Sequence, residues 1–183
     1  MSGRVLFALS IALLVAGCSH RQTADEALNQ TLSQMGQSRS AVFPLAGKVT
    51  IDGQTPQLAQ RRQRLLVVLN DPAKPDAKPL ERPYVECNAE GEFAFRTYEM
   101  RDGVRPGNYV LTFAELTNVG KRGILGPDGL KNLYNDPDKA EFPITHQAPG
   151  RTDYRFDLKL EGREPAQPGP RSFQGVGERK VDR

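Results

Sequence analysis

Thr152-Asp153-Tyr154-Arg155-Phe156-Asp157-Leu158-Lys159-Leu160 decides the fold. Tyr154, Phe156, Leu158 and Leu160 fall on alternate positions with Arg155, Asp157 and Lys159 between them. Only an extended backbone, whose side chains point to two faces in turn, puts those apolar groups on one side. The stretch is therefore a strand with one buried face and one solvated face, the pattern of antiparallel sheets.

Working outward, Tyr109, Leu111 and Phe113 repeat the alternation. Leu65 to Leu69 is apolar on both faces and belongs in the middle of a sheet. Strand-type runs cover Leu45 to Ile51, Arg64 to Asn70, Tyr84 to Asn88, Glu92 to Thr97, Asn108 to Leu116, Ala140 to Thr145 and Thr152 to Leu160. Turn chemistry separates them. Asp52-Gly53 and Glu90-Gly91 offer glycine where a tight reversal needs positive φ, and Arg105-Pro106-Gly107 offers a preset proline φ followed by glycine. The expectation is an all-β domain over residues 44–162, a seven-stranded antiparallel β-sandwich of transthyretin-like or immunoglobulin-like type.

The flanks differ. Residues 1–17 place Arg4 before the mostly apolar run Val5 to Ala16, then the small pair Ala16-Gly17, then Cys18. This is the layout of a signal peptide. The run is too short for a span of roughly 20 apolar residues. Residues 18–43 are rich in Gln, Ser, Thr and Ala and read as a flexible tether, with Leu28, Leu32 and Met35 at the spacing of a short helix. Residues 163–183, with Pro165, Pro168 and Pro170 and no apolar period, read as a disordered tail dispensable for folding.

Val15-Ala16-Gly17-Cys18 resembles the lipobox of bacterial lipoproteins, although leucine is commoner where Val15 stands. The resemblance implies cleavage before Cys18, a diacylglyceryl thioether on its sulfur and an N-acyl chain such as palmitate. Membrane lipid is then the first partner. Ser19 stands where an aspartate would often retain such a protein at the inner membrane, so the resemblance implies the outer membrane, facing the periplasm or the cell surface.

Three segments resemble a second family. Gly47-Lys48-Val49-Thr50-Ile51-Asp52-Gly53, Asn88-Ala89-Glu90-Gly91-Glu92-Phe93 and Asp102-Gly103-Val104-Arg105-Pro106-Gly107-Asn108-Tyr109-Val110 are similar to the carboxypeptidase regulatory-like domain, a transthyretin-like sandwich. Small lipoproteins of planctomycete-type bacteria carry such a domain behind a lipobox. Asn88 departs from the aspartate frequent there, and asparagine serves a turn equally well. The family's domain is non-catalytic, so the resemblance implies no peptidase.

Composition narrows the function further. The net charge of +3 supplies no basic field for nucleic acid. Cys87, the cysteine left after Cys18 is acylated, reads as a small buried hydrophobe. His20 and His146 are the two histidines, too few for the iron or hydrolase sites of enzymes with this fold, and His146 reads as a surface residue. No nucleophile-elbow, zinc-protease or phosphate-loop pattern occurs. The chain is read as a non-enzyme that needs no cofactor, a membrane-anchored binding or structural module at the cell envelope whose partner is an envelope protein or a glycan. A carbohydrate-binding sandwich is the alternative, which exposed Tyr98 and Tyr134 side by side would favour; a small enzyme with a carboxylate-based site comes third.

The long connection Thr117 to Lys139 is the candidate site, because strandless loops of that length are often functional. Asp128, Asn135, Asp136 and Asp138 are oxygen donors of the kind Ca2+ accepts, without the spacing of a known calcium loop. Leu130, Leu133 and Tyr134 are the candidate partner-binding residues, or else they pack the loop onto the open end of the sandwich.

Overall fold

The computed structural model describes residues 23–58, 63–78, 81–119, 124–125, 127–169 and 171–172. The chain divides into two units, residues 1–39 and 40–183. In the first, helix α1 (Ala24–Gln34) starts at a capping box: the Thr23 hydroxyl accepts the Glu26 N–H (3.2 Å), and the Glu26 carboxylate accepts the Thr23 N–H (2.8 Å). Gly36, at φ 66°, closes the helix. The signal segment and Cys18 lie outside the described residues.

The second unit is mostly β, built from β1 (Leu45–Ile51), β2 (Gln63–Asn70), β3 (Tyr84–Glu86), β4 (Glu92–Ala94), β5 (Gly107–Val119), β6 (Ile124–Leu125), β7 (Phe142–His146) and β8 (Arg151–Leu158). One sheet has the order β4-β1-β8. In the other β2 lies between β3 and β5, and β5 also pairs with β6 and β7. Asp52 and Gly53, both at positive φ, form the tight turn after β1, in which Ile51 and Gln54 exchange both backbone bonds at 2.9 Å.

The inner faces of the two sheets meet in one core. Val49, Phe93, Phe156 and Leu158 come from the first sheet, and Leu65, Val67, Leu111, Phe113 and Ile144 from the second. Phe113 meets Phe156 at a 5.4 Å centroid distance, and Phe142 meets Phe156 edge-on at 5.4 Å, in the geometry aromatic pairs favour. β2 is apolar on both faces for a visible reason. Leu65, Val67 and Leu69 enter this core, while Leu66 and Val68 join Ala114 and Leu116 in a second buried cluster.

Three differences from expectation follow from long-range pairing. β8 runs parallel to β1, in register from Gly47↔Tyr154 to Ile51↔Leu158, so the sandwich is antiparallel in all its strand pairs but this one. β5 extends past Leu116 to Val119, where Asn118 and Val119 pair with Leu125 and Ile124 of β6, an eighth short strand. The segment after Glu161 is not structureless: residues 163–169 and 171–172 hydrogen-bond back onto the sandwich. The Ala166 N–H donates to the Lys131 carbonyl (2.9 Å), and the Arg171 carbonyl accepts from Arg82 (2.8 Å).

Candidate binding site

Lys131 and Asn132 adopt left-handed φ values of 57° and 58°, which bend the 117–139 connection back on itself. Leu130 and Tyr134 are consequently 0 % and 3 % exposed, and Leu133 packs beside them. The Tyr134 carbonyl accepts the Phe113 N–H at 2.9 Å, and its ring lies 6.0 Å from Phe142. Leu130 and Tyr134 thus close the end of the core, with the partly buried Leu133 packed against it.

Of the four oxygen donors, Asp128 and Asn135 are in contact with each other, while Asp136 and Asp138 are engaged elsewhere. Asp128 Oδ1 accepts the backbone N–H groups of Glu115 (2.8 Å) and Leu130 (3.0 Å), and Oδ2 accepts the Asn135 amide (3.0 Å). Burial raises the Asp128 pKa against the lowering effect of those bonds. Asp136 accepts the Asp138 N–H (3.1 Å) and lies 3.5 Å from the Lys139 ammonium, while Asp138 pairs with Arg171 at 2.6 Å. Among the described residues no three His, Cys, Asp or Glu side chains converge as metal ligands would. In this structure these donors hold backbone and the C-terminal segment.

The remaining reactive groups are also engaged in the fold. Cys87 is buried, and burial, with the neighbouring Glu86 charge, pushes its thiol up to about 12. His146, read as a surface residue, is 2 % exposed on the inner face of β7, where its Nε2–H donates to the Phe43 carbonyl at 3.0 Å. Tyr98 and Tyr134 do not form an exposed aromatic pair: Tyr134 is buried, and the Tyr98 hydroxyl accepts the Ser40 N–H (3.0 Å).

Two open concavities stand out among the described residues. A groove of about 750 Å³ crosses the β4-β1-β8 sheet, where Ala46 stands opposite Ala94, and Lys48 has Glu92 on one side and Arg155 on the other. Tyr84 and Met100, 52 % and 77 % exposed, line it and are the large exposed hydrophobics among the described residues of this unit.

The second is a cavity of about 270 Å³ beside the connection from β2 to β3. β2 ends on Asn70, whose amide donates to the Val110 carbonyl and the Thr112 hydroxyl, both at 3.0 Å, and whose Oδ1 accepts Arg82 Nη1 at 3.1 Å. Arg82 also donates to the Ala77 carbonyl from Nε (3.0 Å) and Nη2 (2.9 Å). Lys74, Arg105 and Tyr109 bring further polar groups to the wall, while Leu69, Pro83 and Val104 make part of it apolar. No sequence signal marks Arg82, because its acceptors are carbonyls and one amide oxygen brought together only by the fold. No protein-family model matches the chain, and neither does any curated protein or solved structure.

Proposed function

We propose that the protein is a non-catalytic lipoprotein of the bacterial cell envelope, held to the membrane by acyl chains on Cys18, with the β-sandwich as a module that binds an envelope protein or glycan. The observation that carries the binding reading is the division of labour among side chains. Cys87, His146, Tyr134 and Asp128 are engaged in holding the fold, while the open groove and cavity are lined by charged, polar and apolar groups suited to recognition. The lipobox-like Val15-Ala16-Gly17-Cys18 supports the anchor.

Of the two sandwich types, transthyretin-like is the better supported. A constant-type immunoglobulin sandwich sets its first strand beside its second. Here β1 lies between β4 and β8, and β2 between β3 and β5. A carboxypeptidase regulatory-like domain of this kind agrees with the turn motifs at Asp52-Gly53 and Asn88 to Phe93.

Mass spectrometry of the N-terminal peptide from native membranes tests the anchor. The expected species starts at Cys18 and carries a diacylglyceryl group and an N-acyl chain. An unmodified cysteine, or a start elsewhere, would remove the lipoprotein assignment.

A further inference from the structure

Among the described residues Arg82 is a buried cation with no carboxylate paired to it. Its residue is 6 % exposed, and four of its five N–H groups donate to neutral oxygens, those of Ala77, Asn70 and Arg171. Carbonyls satisfy the hydrogen bonds but leave the positive charge in place. Buried charges in folded proteins are normally paired, because an uncompensated one is costly to remove from water. Among the described residues Arg82 forms no ion pair.

The surroundings do not cancel the charge. Arg171 and Asp138, which act on Arg82 in opposite senses, form a 2.6 Å pair and offset each other. Burial first, and Arg171 second, hold the Arg82 pKa below its ordinary value. Elsewhere on the cavity wall Lys74 and Arg105 balance Asp71 and Glu81 in formal charge. Those two carboxylates are tied to their own connection, Asp71 accepting the Ala73 N–H (2.9 Å) and Glu81 the Lys78 N–H (3.1 Å). Among the described residues one positive charge is left over on the wall of an open cavity, at a guanidinium with one N–H that makes no hydrogen bond.

We propose that this cavity binds a small organic monocarboxylate, whose anionic head supplies the countercharge that Arg82 lacks. A single negative charge balances the wall, whereas a dianion such as phosphate overshoots it. Carboxylate oxygens are matched to guanidinium donors in charge-assisted hydrogen bonds. The apolar share of the wall, from Leu69, Pro83 and Val104, suits a short hydrocarbon or aromatic body. At about 270 Å³ the space lies just below the range of roughly 300–1,000 Å³ that takes drug-sized ligands, so the body is small. The site goes beyond the proposed anchored module and is independent of Cys18 acylation, so failure of either leaves the other standing.

The test is a titration of the full chain, purified in detergent, with benzoate, benzamide and inorganic phosphate, followed by the arginine Nε–H resonances in nuclear magnetic resonance. Benzoate is expected to saturate and to move the Arg82 resonance, binding at least about tenfold more tightly than benzamide and than phosphate. Arg82→Gln should abolish the benzoate response. Should that variant not fold, the wild-type Arg82 resonance decides alone. Equal binding of benzoate and benzamide, tighter binding of phosphate, or a benzoate titration that leaves the Arg82 resonance unmoved would overturn the proposal.

Discussion

The Tyr134 hydroxyl and the Lys159 backbone make a reciprocal pair: the hydroxyl accepts the Lys159 N–H at 2.8 Å and donates to the Lys159 carbonyl at 2.9 Å. Arg163 Nη1 donates to the Tyr134 hydroxyl oxygen at 2.8 Å, and its guanidinium carbon stands 5.2 Å from the ring centre. One phenol therefore joins the long connection after β5, the end of β8 and the start of the C-terminal segment. The loop that looked most like a recognition element is a structural clasp.

Tyr134→Phe keeps the ring and removes the oxygen. The Lys159 N–H and carbonyl then lose their partner in a partly buried place, which costs about 1–3 kcal/mol. Thermal unfolding should show a melting temperature lower by roughly 4–12 °C. A variant within about 1 °C of the parent would show that the loop is held by its apolar residues alone.

The legible part of the fold was the part governed by local periodicity. Alternation placed Tyr154, Phe156 and Leu158 on one face, and the two-faced run Leu65 to Leu69 gave a central strand; both hold in the structure. The same rule applied to Phe142, Ile144 and His146 would have turned His146 inward, where it lies. The parallel pairing of β1 with β8 was not legible, since the partner of an edge position is set about a hundred residues away in the chain. Asp128, Asp136 and Asp138 mark the limit of composition as a guide: a carboxylate in a turn-rich loop is the same sequence signal whether it meets a cation, a backbone N–H or Arg171. Arg82 lay beyond it altogether.

Asp128 gives a pH dependence with a definite sign. Its folded pKa is raised, so the folded state holds the proton more tightly than the unfolded chain does. Its contribution to stability is fully present below the ordinary aspartate value of about 3.9. It is lost as pH rises through the raised folded value. Asp128→Asn cannot ionise, so whatever fixed cost its amide incurs beside the Asn135 amide does not change with pH. The melting temperature of the variant relative to wild type should therefore improve from pH 4 to pH 7. A difference constant across that range would contradict the burial-driven shift. Asp157, held down to about 2 by Lys159 and by its bonds to Gly53 and Thr50, has the opposite slope but titrates below this window.

Cys87 should be inert in the native protein. With the thiol near 12 against an ordinary 9.0, the thiolate fraction at neutral pH is about a thousandfold lower than in a free cysteine, before burial blocks access. Alkylation by iodoacetamide, followed on the Cys87 peptide by mass spectrometry, should be negligible in buffer and complete in denaturant. Rapid native labelling would show that the segment following β3, which carries Cys87, opens readily.

The C-terminal segment should matter to stability despite its composition. Its prolines and lack of apolar period argue for disorder only if nothing on the sandwich accepts its backbone, and several groups do. Lys131 Nζ donates to the Arg163 carbonyl (2.9 Å), and the Lys131 carbonyl accepts the Ala166 N–H (2.9 Å). Further along, Gly169 packs so closely on Asp136 that any β-carbon there would collide with the carboxylate. Each hydrogen bond contributes about 0.5–1.5 kcal/mol, against about 1–2 kcal/mol for ordering each residue, so the bonds alone would not hold the segment. What tips the balance is what departure uncovers: Arg82 loses the Arg171 carbonyl, Asp138 loses its guanidinium, and Tyr134 loses Arg163. A chain ending at Gly162 should melt at least about 5 °C lower, equivalent to roughly 1 kcal/mol, and Arg171→Ala should account for part of that fall. If the shortened chain keeps the parent's melting temperature, the contacts of residues 163–169 and 171–172 form without stabilising the domain, and Asn70 and the β2–β3 connection suffice to hold Arg82.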